Sequence, residues 1–166
     1  MKKMMYVSVA CGFLLFTKMS FAAQIVDVSR DLLSAAHQGD IQAAQNALNA
    51  GANVDTRSHN DSTPLILAPL NGTVDLVLLL LDRGADINAQ AKDGRTALMI
   101  AAANGNIEVV SLLLEKGANV FARDNANKTA LDLAENEQVK KMLRDFIDKL
   151  NSQEAKERPT QKTLKS

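Results

Sequence analysis

Residues 94–120 read GRTALMIAAANGNIEVVSLLLEKGANV, and this stretch decides the fold. Thr96 is a helix N-cap by residue type, since its hydroxyl can accept from an unpaired amide of the first turn. A mostly apolar run, Ala97 to Ala103, follows and stops near Gly105. A second helix is predicted from about Ile107 to Glu115, where Val109, Val110, Leu112, Leu113 and Leu114 give a wide apolar side. Gly117 falls where a helix C-terminus needs positive φ. Two such short helices cannot bury their apolar faces alone. They need neighbours of the same kind.

The neighbours are in the chain. Gly39, Gly72 and Gly105 are 33 residues apart, as are Gly51, Gly84 and Gly117, each followed by alanine. Thr63, Thr96 and Thr129 keep the same spacing, each followed by Pro or Ala and then Leu. A fixed period of this length is the signature of a stacked array. The loop after each second helix leads to Asp61, Gly94 or Asn127, all residue types that tolerate positive φ in a tight turn. One copy is irregular. TPLILAPLNG, residues 63–72, carries Pro69 and Leu70 where the next copy has Ala102 and Ala103. Pro64 opens a helix harmlessly, but Pro69 falls at the sixth helical position, where its missing N–H and its ring oppose the helix.

These motifs resemble the ankyrin repeat family, whose pattern G-x-T-P-L, A-A-x-x-G and V-V-x-L-L-L-x-x-G-A-x-V is met almost throughout by residues 94–120. The resemblance spans residues 29–150 and implies an all-α solenoid of four helix-turn-helix repeats with hairpin-like connecting loops. The outer two repeats act as caps. The first, from Asp31, lacks the T-P-L start and has Gln42, Gln45, Asn46 and Asn49 on its second helix. The last lacks the mid-repeat glycine and ends in an amphipathic helix. Ile66 and Met99 stand where the family often has His, so the usual Thr–His hydrogen bonding is lost.

Alanine and leucine carry most of the 46% apolar content, aromatics are 4%, and the formal net charge is zero across 166 residues. Close-packed helices fit this composition, and nothing global points to nucleic acid or a membrane surface. Residues 1–22 read as a signal peptide: MKK, then 13 mostly apolar residues, then Ser20 and Ala22 at the −3 and −1 places of a cleavage site. A retained anchor is the competing reading, but the apolar run falls short of the ~20 residues a spanning helix needs. A lipoprotein is another, with Cys11 as the acceptor, though Ser8 replaces the leucine it wants. Cleavage would remove Lys2, Lys3, Lys18 and the sole cysteine, leaving 16 basic and 19 acidic residues, a net charge of −3. Such a chain has no disulfide and depends on packing. Residues 23–28 are a lead-in, and residues 151–166 read as a disordered polar tail.

No glycine-rich phosphate loop, paired-histidine zinc motif or G-x-S-x-G elbow occurs. His37 and His59 fall near one side in adjacent repeats, and solvated side chains account for them better than a metal does. We therefore expect no enzymatic activity, no cofactor and no metal.

Ankyrin repeats bind proteins through the turn tips and the first-helix surface of the concave side. On this chain the resemblance places Arg57, His59, Asn60, Lys92, Asp93, Arg95, Arg123, Asn125 and Lys128 at the tips. Leu70, Asn71 and Asn104 fall on the first helices. Five of these are basic against one acid, and Asp40, Asp75, Asp82, Glu108 and Glu115 fall on the other side with Arg83 and Lys116. A partner with an acidic surface is expected, rather than nucleic acid, since no aromatics interleave the basic residues. The protein is expected to be a monomer that leaves the membrane after cleavage and acts in a bacterial periplasm. The resemblance implies support of an oxidative-stress enzyme such as catalase, or immunity against a toxic effector. A secreted effector that binds a host protein is the alternative.

Overall fold

The computed structural model describes residues 28–157. The expected signal peptide, residues 23–27 of the expected lead-in and the part of the expected tail beyond 157 lie outside them. Eight α-helices follow in order: α1 (residues 28–38), α2 (Ile41–Asn49), α3 (Pro64–Leu67), α4 (Val74–Asp82), α5 (Ala97–Ala103), α6 (Ile107–Glu115), α7 (Ala130–Leu133) and α8 (Glu137–Glu157). The described residues contain no strand. They form four helix pairs. First helices stack α3 on α5 and α5 on α7, while second helices stack α2 on α4, α4 on α6 and α6 on α8. This is the expected all-α solenoid.

The core repeats as the sequence does. Leu32, Leu65 and Leu98, spaced by 33, are buried, and so are Val77 with Val110 and Leu80 with Leu113. Ala68, Ala101 and Ala102 are fully buried between the layers, where small side chains let helices approach closely. Each second helix closes alike. Gly51, Gly84 and Gly117 have positive φ, and the alanine after each donates its N–H back to Ala47, Leu80 or Leu113, the Schellman closure.

The threonine caps differ. The Thr96 hydroxyl accepts from the Met99 amide at 3.4 Å. Thr129 forms a full capping box with Asp132, whose carboxylate accepts the Thr129 N–H at 2.9 Å. Thr63 holds the cap position, but its hydroxyl is fully buried and without a hydrogen-bond partner. The Ile66 amide bonds instead to the Thr63 backbone carbonyl at 3.0 Å. Isoleucine at 66 cannot supply the bond that a histidine would, as the sequence implied.

Pro69 ends α3 after four residues. The chain tightens into a 3-10 turn, Ala68–Asn71, where α5 continues unbroken. The last repeat is shortened. Asn136 takes the role of Asn106, each lying against the preceding repeat's glycine, Gly105 or Gly72. Val139 and Leu143 are then buried as Val109 and Leu113 are, but 30 residues on rather than 33. The sequence reading ends the repeat domain at 150, whereas α8 runs to Glu157. Residues 151–157 lack apolar side chains apart from Ala155 but are mostly good helix formers, and extending an existing helix is cheap.

Gly84→Ala meets open space at φ +85° and should cost only the left-handed penalty, roughly 1–2 kcal/mol. Gly94→Ala, at φ +81°, would bring Cβ to 2.8 Å from the Asn125 backbone nitrogen and should cost about 3 kcal/mol or more. Urea midpoints of the two variants check the difference. The hydrogen bonds from Thr129 hold the Asp132 carboxyl below its ordinary value of 3.8. Its contribution is therefore complete above that value and is lost as pH falls through the lowered one. Asp132→Ala should cost about 1 kcal/mol at neutral pH and progressively less in acid, read from urea midpoints across pH.

Candidate interaction surface

The loops between repeats are three similar hairpins. Ser58, Ala91 and Asp124 each donate a backbone N–H to the carbonyl of Ser62, Arg95 or Lys128, at 2.9–3.0 Å. The turn residues Asp61, Gly94 and Asn127 all have positive φ, at 57°, 81° and 63°. Their tips then join. The Lys92 amide donates to the Asn60 carbonyl at 3.0 Å, and the Asn125 amide to the Asp93 carbonyl at 2.9 Å.

Side chains reinforce the joins at positions 33 apart. Arg57 Nη1 donates to the Asp61 carbonyl at 2.9 Å and to the Gln90 carbonyl, one hairpin on, at 3.0 Å. Gln90 does the same, to the Gly94 carbonyl at 2.8 Å and to the Arg123 carbonyl at 3.1 Å. Arg123 closes its own hairpin through the Asn127 carbonyl. Each of these long donors locks one hairpin, and the first two also latch it to the next. At the other end of the loops, the Asp55 and Asn88 side chains accept the Asp86 and Asn119 amides. Phe121 takes that position in the third copy and is 53% exposed.

The residues expected to meet a partner therefore separate. Arg57, Arg123, Asn71 and Asn125 are engaged in the scaffold, Asn71 through the His37 carbonyl and Asn125 through the Lys92 carbonyl. Their charges and edges remain at the surface. Asn60, Leu70, Lys92, Asp93 and Arg95 come together on one groove of about 450 Å³. Its floor is Ile66, Leu67, Leu70 and Ile100, of which sequence reasoning placed only Leu70 at a surface. The others look like core residues in a linear pattern. Leu70 is 43% exposed. Arg95 Nε lies 3.6 Å from an Asp93 oxygen. Lys92 and Lys128 are exposed and take no part in the salt bridges among the described residues. His59 lies apart, beside Arg57 in a second groove that borders α1. Asn104 is exposed at the end of α5.

Among the described residues no group of three or more His, Cys, Asp or Glu side chains is placed to hold a metal. No described helix is long and apolar enough to cross a membrane. A family profile described as ankyrin repeats in three copies matches residues 32–124 and, overlapping, 71–154. The chain belongs to the ankyrin-repeat family. The ankyrin-repeat fold is a non-catalytic scaffold. A 48-residue segment is 46% identical to part of the transient receptor potential cation channel subfamily A member 1 of Drosophila melanogaster. The segment is 29% of this chain, and the match spans 4% of the channel's length.

The latches give a stability test. Arg57→Ala removes two bonds to backbone carbonyls and should cost about 1–2 kcal/mol. Arg95→Ala, which loses only an exposed ion pair, should stay within about 0.5 kcal/mol of the parent. Thermal or urea unfolding of both variants decides whether the two arginines differ in this way.

Proposed function

We propose that this ankyrin chain is a non-enzymatic binding module that holds a partner protein on its hairpin tips and first-helix groove. The observation that carries this reading is the exposure of Leu70 at the floor of a groove rimmed by Lys92 and Arg95. Exposed apolar surface inside a polar rim is the usual composition of a protein contact. Lys92, Arg95 and Lys128, with the latched Arg57 and Arg123, favour an acidic partner and speed its encounter. The protein acts as a monomer.

The N-terminal pattern supports export, with cleavage after Ala22 and function in a bacterial periplasm. Within that setting the partner is an enzyme that the module supports, such as catalase, or a toxic effector that it neutralises. Recovery of the chain from culture medium rather than periplasm would favour a host-directed effector instead.

Capture with the tagged protein tests the binding reading. Leu70→Ala should lose the captured partner while leaving the circular dichroism spectrum and unfolding midpoint unchanged. Reversing charge at Arg95 and Lys128 should weaken capture and flatten its salt dependence. Capture indifferent to all three changes would contradict the reading.

A further inference from the structure

Pro69 helps to build the groove between the second and third repeats. Without an N–H at 69 the α-helix stops at Leu67, and the following 3-10 turn carries Leu70 outward. At the matching position of the next repeat stands Ala103, half-buried on an unbroken helix. The turn is fixed from behind, since Pro69 is buried and the Asn106 side chain donates to its carbonyl. Leu70 is thus presented by a rigid element and does not belong to a mobile loop.

The rest of the groove has a defined chemistry. Leu67 and Ile100 extend the apolar floor from Leu70. The rim on the second hairpin carries Lys92 and Arg95, with Asp93 already faced by the Arg95 guanidinium. Asn60 and Ser62, on the adjoining hairpin, add neutral polar groups to the lining. The net charge of the rim is positive, and it lies on the same groove of about 450 Å³ as the apolar floor. That volume suits one or two side chains rather than a helix, whose diameter is ~10–12 Å.

We propose that this groove takes an extended acidic segment of the partner, with one bulky apolar side chain seated on Leu70. An Asp or Glu one or two residues away would meet Lys92 and Arg95. The proposal rests on the protein-binding reading and narrows it to a linear segment of stated composition. Charge complementarity selects the acidic residue, and the floor selects the apolar one.

Selection of short random displayed peptides on the full chain tests it. Enriched sequences should share a bulky apolar residue within two positions of Asp or Glu. A synthetic peptide of that kind should bind roughly tenfold or more weakly to Leu70→Ala and to Arg95→Glu. Lys92→Glu serves as a third variant. Because all three side chains are surface groups, unchanged unfolding midpoints will show that the fold is intact. Enriched peptides without an acidic residue, or binding indifferent to these variants, would overturn the groove assignment and leave the broader reading standing. Failure to enrich any peptide would overturn the claim that a linear segment suffices. Leu70-dependent capture of a folded partner would then still support the broader reading, and its absence would remove both.

Discussion

Each helix pair in this chain has an apolar face that only another pair can cover. That constraint governs everything else in the structure. Leu65, Leu98 and Ala101 are buried because α3, α5 and α7 stack, and Val77, Val110 and Val139 because α4, α6 and α8 do. Stability in such an array comes from nearest-neighbour contacts. The ends must therefore stop the stacking. The first repeat does so with exposed Gln42, Gln45, Asn46 and Asn49 on α2. The last does so with exposed Lys141, Arg144, Asp145, Asp148 and Lys149 on α8.

Stacking the helices also stacks the hairpins, and this links the core to the proposed interaction surface. Backbone bonds from Lys92 to Asn60 and from Asn125 to Asp93 join the tips. Arg57 and Gln90 latch the same neighbours through side chains. The tips thus form a continuous platform whose geometry is set by the repeat spacing. A partner meeting such a platform orders little of it on binding, so less of the interaction is lost to entropy. The groove at Leu70 lies where that platform meets a first helix whose regular form Pro69 has interrupted.

Much of this is legible in the linear sequence. The 33-residue period carries the fold, and the turn positions Asp61, Gly94 and Asn127 were readable because few residue types tolerate positive φ. The latches were not readable in the same way. Arg and Gln differ in charge and class, and their acceptors are backbone carbonyls, which have no side-chain signature. The one available signal was a long donor at 57, 90 and 123. Conversely, Ile66 and Ile100 look like core, and only the structure shows that they border a groove with Leu70. The continuation of α8 past 150 was hidden by its composition, which lacks the apolar periodicity of a packed helix while keeping its propensity.

The hairpin tips are bonded into one rigid platform and do not act as independent loops. Amide hydrogen exchange at Lys92 and Asn125 tests this most directly. Both amides are at exposed residues, so solvent access alone predicts fast exchange. The cross-hairpin bonds predict strong protection, with exchange only when neighbouring repeats separate. Exchange of both amides at the free-chain rate would mean that the tips move as independent loops.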